Sequence, residues 1–291
     1  MAQDNALVRL RALTLNLHCW QESDARQKLH TVARAIATEG IDVIMLQEAA
    51  QHKDALLTSI HHGVEIKSDN AVAIIAQRLL SEFNLTYEFA WDYSHLGWDV
   101  WEEGIGVLTR GTIQNVESLW VSTSQSTSDW LSRKMLLADI VIDNQEFRVA
   151  STHLGWWNDE REPFDQQFAR LQTFSLARTP STLLAGDFNV AASTPGYHYM
   201  MSDPNLVDCF LECNPHDMLQ PTIGGHIDGW EDGDPDGQRI DYMLVDRRGN
   251  LQPIDARIIF NESNYGPVSD HLGVLVDFET ANSHESTRMT P

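Results

Sequence analysis

Residues 182–190 place two polar side chains directly after an apolar run. The sequence Thr-Leu-Leu-Ala-Gly-Asp-Phe-Asn-Val is typical of a buried strand that breaks at Gly186. Asp187 and Asn189 then supply a hydrogen-bond acceptor and a donor at the strand end, where α/β sheets commonly bind ligands. Glycine, aspartate and asparagine are also ordinary turn residues. Taken alone, the segment is as compatible with a turn as with a site.

Polar side chains also follow other predicted strands, where a packed core does not require them. They are Asn16, Glu48, Glu103, His153, Asp241 and the pair Asp270 and His271. Because strands in a layered α/β fold end at a shared edge, we expect these side chains to converge with Asp187 and Asn189. One polar strand end is common, whereas the whole series predicts a site.

The residue types at these strand ends suit hydrolysis of a phosphate ester on a hard metal ion. Oxygen ligands from Asn16, Glu48 and Asp270 match Mg²⁺, with Mn²⁺ as a substitute. A zinc site would instead require histidine and cysteine in ligand spacing. Asp187 can orient and deprotonate an attacking water if it lies within hydrogen-bond reach.

Two histidines supply the remaining chemistry. His153 and His271 can donate to phosphate oxygens or to the leaving group, where charge develops in the transition state. Glu103 and Asp241 are suitable partners to fix the tautomer of each imidazole. These residues together predict an acid–base and metal site.

Apolar periodicity predicts the elements that position these residues. A strand at 7–17, a helix that begins at Ser23 or Asp24 and stops at Gly40, and an apolar strand at 41–46 predict a parallel crossover. Further helices are predicted at 70–83, 163–176 and 196–201. Further strands are predicted at 86–92, 104–110, 113–121, 135–142, 147–152, 239–245 and 273–278.

The sequence also predicts the domain organisation and the cellular location of the protein. Mixed strands with few helices along the whole length predict a single α/β domain at 1–279, followed by a polar, disordered tail at 280–291. The three cysteines form no paired framework, and the N-terminus has no signal-peptide pattern. No window approaches the ~20 apolar residues of a membrane span. We therefore expect a soluble cytoplasmic protein, with its oligomeric state open.

The charge balance bears on the partner. Lys and Arg total 20 against 42 Asp and Glu, for a formal net charge of −22. Proteins that bind long polyanions normally carry a basic groove, and the sequence contains no Lys/Arg-rich run. The overall field would repel nucleic acid and anionic membranes. The charge balance therefore disfavours nucleic acid as a partner and favours a small substrate.

Six short motifs appear in a familiar order along nearly the whole chain. They are Leu15-Asn16, Leu46-Gln47-Glu48, Ser151-Thr152-His153-Leu154, Gly186-Asp187-Phe188-Asn189, Arg239-Ile240-Asp241-Tyr242 and Ser269-Asp270-His271. The series resembles that of the endonuclease/exonuclease/phosphatase superfamily. The resemblance implies a DNase I-like fold, a four-layer α/β sandwich of two mixed β-sheets flanked by helices.

Further stretches resemble a bacterial subgroup of that superfamily, which includes the maltose 6'-phosphate phosphatases. They are residues 103–110, 152–157 and 227–230. By resemblance, Asn16, Glu48 and Asp270 belong to the metal shell, and Asp187 and Asn189 handle the water and the phosphate. The resemblance also pairs His153 with Glu103 and His271 with Asp241. The superfamily's abasic-site endonucleases carry an acidic residue two positions after the first asparagine, where this chain has His18, which disfavours DNA-repair activity.

One arginine and two tryptophans are candidates for substrate contacts. Arg133 is placed on the substrate phosphate by resemblance, with a solvated loop cation as an equal alternative. Trp156 and Trp230 can stack on a sugar ring, although core packing is the commoner role of tryptophan. The sequence thus predicts a Mg²⁺-dependent phosphomonoesterase of a small phosphorylated metabolite such as a sugar phosphate. The alternatives are a nuclease or other phosphodiesterase using the same site, and a binding protein without activity.

Overall fold

The computed structural model describes residues 9–175, 181–224, 227, 230 and 234–280. Within these residues the strands are β1 (Arg9–Asn16), β2 (Val43–His52), β3 (Leu57–His61), β4 (Val64–Lys67), β5 (Glu88–Gly97), β6 (Trp101–Thr109), β7 (Thr112–Trp120), β8 (Lys134–Ile142), β9 (Gln145–His153), β10 (Thr182–Asp187), β11 (Leu206–Asp208), β12 (Asp241–Asp246), β13 (Leu251–Ile259) and β14 (Gly273–Thr280). The helices are α1 (Ala25–Glu39), α2 (Ala71–Phe83), α3 (Phe164–Phe174), α4 (Pro195–Met200) and α5 (Cys209–Cys213).

Two six-stranded mixed sheets form the centre of the fold. Their strand orders are β13-β14-β1-β2-β6-β5 and β11-β12-β10-β9-β8-β7. Helices α1 and α2 pack on the outer face of the first sheet, and α3 and α4 pack on the outer face of the second. This arrangement confirms the predicted four-layer α/β sandwich. The predicted parallel crossover is also present, since β1 and β2 pair in parallel around α1.

Alternating side chains distribute the core between the layers. In β1, Leu10 and Ala12 face the second sheet, whereas Leu13 and Leu15 face α1 and α2. Buried apolar residues therefore occupy both faces of the central strands, which explains their nearly continuous hydrophobic sequence. A buried polar chain joins the sheets at one end, where Gln47 Nε2 donates to Ser151 Oγ at 3.0 Å and that hydroxyl donates to Leu46 O at 3.0 Å.

Local signals explain the two long helices. Helix α1 ends at Gly40, whose φ of 64° allows its N–H to reach Ile36 O. Helix α1 begins directly after Asp24, as predicted, but the Asp24 side chain makes no cap hydrogen bond. Asn70 caps α2 by accepting from Ala73 N. Strand β5 runs five residues beyond its predicted end, to Gly97.

Register brings the chemically important strand ends to one edge of the sandwich. Strands β9 and β10 are parallel and end opposite each other at His153 and Asp187. Strand β12 is antiparallel to β10 and starts at the same edge, with Asp241 paired to Asp187. In the first sheet β1 ends at Asn16, and the antiparallel β14 starts two residues after His271. The predicted convergence of strand ends is therefore present in both sheets.

The last strand of the chain, β14, lies in the first sheet. Strand β14 continues to Thr280, which pairs with Leu251 of β13, so the sheet includes the first residue of the segment expected to be a tail. Residues 281–291 of that segment lie outside the described residues. Among the described residues, none of the helices is both long and apolar enough to cross a membrane.

Gly186 is required by the backbone geometry just before Asp187. Its φ is +152°, and a Cβ at this position would lie 1.9 Å from Thr152 O of the neighbouring strand. Gly186→Ala is therefore expected to lower the free energy of unfolding by about 2–4 kcal/mol through strain and strand separation. Denaturant unfolding measures this loss. Gly224→Ala is the matched control, because a Cβ there meets nothing within 4 Å, and equal stability of the two variants would contradict the prediction.

Candidate functional site

The floor of the site is a buried amide that joins the two sheets. Asn16 Nδ2 donates to Glu48 Oε1 at 2.7 Å and to Asp187 Oδ2 at 3.1 Å. The Asn16 side-chain oxygen accepts from His18 N at 3.0 Å. Asn16 therefore directs its N–H groups at the two carboxylates from beneath and fixes the spacing between the first and the second sheet.

Two strained backbone positions aim side chains into the site. The register of β2 against β6 shifts between Leu46 and Ala49, and Glu48 in this bulge has φ 44°. Bulges next to active sites redirect side chains in this way. Asn189 has φ 50°, and its N–H donates to Asp187 Oδ1 at 2.9 Å. Asp187 thereby stabilises the turn that places Asn189, and non-glycine residues in this region of φ are concentrated at functional sites.

Two histidines approach the same carboxylate oxygen from different sides. His153 Nε2 lies 3.6 Å and His271 Nε2 lies 3.8 Å from Asp187 Oδ2. His271 Nδ1 donates to Asp241 Oδ2 at 2.9 Å, as the sequence predicted. Burial opposes the imidazolium, but Asp241 and then Asp187 raise the pKa of His271 to about 10. His271 is therefore a cation at neutral pH.

His153 has the opposite character. Trp230 Nε1 donates to Asn189 Oδ1 at 3.1 Å, so Asn189 Nδ2 faces His153 Nε2, also at 3.1 Å, and donates to it. Burial, helped by the nearby Arg133, holds the pKa of His153 well below its ordinary value. His153 is therefore neutral, with its acceptor nitrogen on Asn189. Asp187 therefore lies between a cationic imidazole, His271, and a neutral one, His153.

The predicted pairing of Glu103 with His153 is wrong. Glu103 Oε1 instead lies 3.2 Å from His95 Nε2, on the adjacent strand β5. Although burial opposes the carboxylate, the charge and hydrogen bond of His95 lower the pKa of Glu103 to about 2. The sequence prediction overlooked His95 because β5 was expected to end at residue 92, before the Ser94-His95 pair.

A cavity of about 570 Å³ opens above this floor. Every predicted site residue lines it except Asn16 and Asp241, which lie beneath it and are fully buried. Trp98 and Trp130, 61% and 53% exposed, form the rim together with Trp156 and Trp230. The lining also includes His18, His95 and Asp99, which the sequence prediction did not assign to the site. The neighbouring Trp101 and Trp157 belong elsewhere, packed on Trp20 and Phe164 respectively.

Arg133 is the one arginine or lysine among the described residues that line the cavity. It is 3% exposed, and its Nη1 donates to the backbone oxygens of Trp130 and Ser132 at 2.7 and 3.2 Å. Within the described structure its buried Nε has no hydrogen-bond partner. Burial lowers the pKa of Arg133, against the opposing effect of Glu103 and Glu48. The solvated-loop alternative is therefore excluded.

The carboxylates of the site have the chemistry of a divalent-cation site. Glu48, His153 and Asp187 each offer one ligand atom within 4.8 Å of the others, as do His18, Glu22 and Asp270. Burial and the Glu103 charge raise the pKa of Glu48 to about 8, and burial and the Asp241 charge raise that of Asp187 to about 7. Buried carboxylates that repel one another in this way fit a hard cation with oxygen ligands.

Comparison with known proteins supplies the family. A model of the endonuclease/exonuclease/phosphatase family matches residues 13–271, from β1 to the histidine beside Asp241. The chain belongs to the endonuclease/exonuclease/phosphatase family. Members of this family hydrolyse phosphoester bonds and generally depend on a divalent metal. No curated protein sequence matches the chain significantly.

Solved structures of the endonuclease/exonuclease/phosphatase family share the fold. A family protein from Leptotrichia buccalis C-1013-b is 28% identical, with a TM-score of 0.80 over 93% of this chain and 99% of that chain. The mannosyl-6-phosphatase of Bacteroides thetaiotaomicron VPI-5482 is 17% identical, with a TM-score of 0.64 over 92% and 99%. The human Nocturnin catalytic domain with bound sulfate is also 17% identical, with a TM-score of 0.64 over 94% of each chain.

Of the subgroup motif at 227–230, Asp228 and Gly229 lie outside the described residues.

Proposed function

We propose that the protein is a metal-dependent phosphomonoesterase of a small phosphorylated metabolite, with a sugar phosphate as the favoured class. The composition of the cavity supports this proposal. Among the described lining residues, the floor holds carboxylates and imidazoles, the wall holds one guanidinium, and the rim holds four indoles. Such a cavity suits one phosphoryl group attached to an uncharged ring, which aromatic faces can contact.

The side chains divide the proposed reaction between them. Asp187 accepts the proton of the attacking water, and Asn16 holds the Asp187 carboxylate in place through its 3.1 Å hydrogen bond. His271, held as a cation by Asp241, donates to the phosphoryl group or to the leaving oxygen. Arg133 orients the phosphate oxygens, and Asn189 orients the neutral His153 through its 3.1 Å hydrogen bond. A divalent ion bound by Glu48 and Asp270 would neutralise phosphate charge and activate the water.

Charge favours a small monoester over nucleic acid. The chain carries a formal net charge of −22, and Arg133 is the one arginine or lysine of the described cavity lining. A nuclease requires cations along several successive phosphates, because these contacts provide most of its affinity. The mannosyl-6-phosphatase with the same fold indicates that this architecture can carry a sugar phosphatase. These observations support the monoesterase over the phosphodiesterase.

The proposed activity is tested by phosphate release from a panel of sugar phosphates. The purified chain is assayed with Mg²⁺, with Mn²⁺ and after removal of divalent ions by a chelator. We expect release from at least one member with either ion and its loss on chelation, restored by adding the ion back. Absence of release from every member would refute the proposal, and release unaffected by chelation would refute its metal dependence.

Arg133→Met is expected to raise KM for the phosphate ester by about 10–100-fold, because a charge-assisted hydrogen bond contributes about 1.5–3 kcal/mol. Folding should be retained, because the methionine side chain is close in length to that of arginine and the substitution removes a buried charge. Steady-state kinetics and thermal unfolding measure the two effects. Arg247→Met, which removes a surface ion pair to Glu212, is the control. An unchanged KM in Arg133→Met would assign Arg133 a structural role only.

A further inference from the structure

His95 occupies a buried position in the cavity wall. It is 5% exposed and lies near the end of β5, directly opposite Glu103 in the β5–β6 register. Residues directly opposite each other on neighbouring strands share a face of the sheet, so both side chains point toward the cavity. Both residues belong to its lining. His95 Nε2 lies 3.2 Å from Glu103 Oε1, within hydrogen-bond distance.

Both ring nitrogens of His95 have partners. A carboxylate only accepts hydrogen bonds, so His95 Nε2 carries the proton that it donates to Glu103. His95 Nδ1 lies 3.1 Å from Ser94 Oγ, which fixes the orientation of the ring. Glu103 Oε2 lies against Gly97, where a Cβ would come within 3.1 Å of it. The Glu103 carboxylate is therefore confined between His95 and the backbone of the β5–β6 turn.

Irregular backbone on both sides of β6 produces this arrangement. The register shifts between Leu46 and Ala49 on β2 and between Tyr93 and His95 on β5, so Glu103 lies between two bulged strands. The first bulge delivers Glu48 and the second delivers His95 to the cavity. Bulges at functional sites re-aim side chains at the expense of ladder regularity. The bulge of β5 is therefore part of the site rather than an irregularity of an edge strand.

Glu103 faces the groups that the reaction would use. Arg133 and His153 line the same cavity, and the Glu103 carboxylate acts to raise the pKa of both. Its position therefore sets the electrostatic environment of the phosphate-binding guanidinium and of the neutral imidazole. His95 is the group that fixes that position, since no other described side chain forms an ion pair with Glu103.

We infer that His95 is a positioning residue, which holds the Glu103 carboxylate opposite Arg133 and His153 through a hydrogen bond from Nε2. This role rests on the proposed phosphomonoesterase function. His95 does not touch the reacting atoms in this account; it acts through Glu103. Outer hydrogen-bond partners that orient site residues typically contribute 10–100-fold to activity or affinity.

The kinetic test compares two substitutions in two backgrounds. His95→Phe keeps the ring but removes the donor, and His95→Gln keeps a donor near the Nε2 position. We expect His95→Phe to lower kcat about 10–100-fold with little change in KM, and His95→Gln to retain most of the wild-type rate. In a Glu103→Gln background, His95→Phe should cause a further change of at most about twofold, because the two residues act as one unit. Additive losses, or equal losses in both His95 variants, would overturn the inference.

A second readout does not depend on turnover. In protein labelled with ¹⁵N-histidine, His95→Phe should shift the ring nitrogen signals of His153, whereas His95→Gln should leave them near their wild-type positions. Unchanged His153 signals in His95→Phe would overturn the inference. If the wild-type protein releases no phosphate from any ester, the proposed function fails, and this measurement alone decides the role of His95.

Discussion

Asp187→Asn is expected to lower kcat by about 10²–10⁴-fold, the range for loss of a positioned general base. Asp187 is 2% exposed, and its Oδ2 is approached by Asn16, His153 and His271. Asparagine has nearly the same shape and keeps an oxygen for the N–H of Asn189, but it cannot accept the water proton. KM should change far less than kcat, because the substitution removes an interaction of the transition state.

The stability of Asp187→Asn separates chemistry from folding. Burial and Asp241 raise the pKa of Asp187 to about 7, so folding favours its neutral form. A raised carboxyl pKa means that the charged group destabilises the folded state increasingly as pH rises above the unfolded pKa. The neutral variant removes this charge but loses the hydrogen bond from Asn16 Nδ2 to Oδ2. Its melting temperature at pH 8, measured without divalent ions, should therefore stay close to the wild-type value. Asp143→Asn, at an exposed position, is the control. Loss of folding in Asp187→Asn would contradict the proposed role.

His271→Asn is expected to lower kcat by about 10²–10³-fold, as removal of one donor to developing negative charge does. Asparagine can still donate to Asp241 from the position of Nδ1, so Asp241 keeps a hydrogen-bond partner. The cation and the Nε2 donor, which lies 3.8 Å from Asp187, are lost. Steady-state kinetics on the best sugar phosphate measures the effect, which should appear mainly in kcat.

Two controls make the His271 result specific. His198→Asn changes an exposed histidine of α4 and should leave the kinetics at wild-type values. Asp241→Asn should reproduce much of the His271→Asn loss, because Asp241 keeps His271 charged and oriented. In the double variant the two losses should overlap rather than multiply. A wild-type rate in His271→Asn would exclude this imidazole as a proton or hydrogen-bond donor in the reaction.

The sequence predicted the residues that follow regular strands. Asn16, His153 and Asp187 end strands whose apolar periodicity is clear, and parallel or antiparallel pairing then places them at one edge. His271 and Asp241 followed from the same reasoning, and their hydrogen bond is present. For these positions local pattern and global fold agree, which is why the motif after Gly186 could be distinguished from a turn.

The sequence could not predict where the strands become irregular. A bulge shifts the period-2 pattern by one residue, so the cavity-facing orientation of His95 was not visible from alternation. The partner of Glu103 was consequently misassigned. Glu48 was assigned to the site as a strand end, whereas it lies at a bulge within β2. Strand β13 was also overlooked, because Pro253 interrupts its sequence; β13 lies at the edge of its sheet, where proline is tolerated.

Sequence reasoning could not single out the tryptophans at the exposed end of the cavity. Composition showed nine tryptophans but could not separate the rim indoles, Trp98 and Trp130, from Trp101 and Trp157, which pack elsewhere. That distinction depends on the β5–β6 turn and on the segment before β8, both of which are set by tertiary contacts. Arg133 had been assigned to the substrate phosphate by resemblance, with a solvated loop cation as an equal alternative, and only its burial in the cavity wall decided between the two.

Hydrolysis of a phosphomonoester of a small metabolite distinguishes the proposed enzyme from a nuclease or other phosphodiesterase. The most direct measurement compares kcat/KM, with Mg²⁺ present, for two substrates. One is a sugar phosphate, and the other is the phosphodiester formed when the phosphate of the same compound also carries a methyl group. We predict that the monoester is preferred by at least about tenfold, or about 1.4 kcal/mol, and that a single-stranded oligonucleotide is not cleaved. A diester hydrolysed as efficiently as the monoester, or cleavage of the oligonucleotide, would contradict the account.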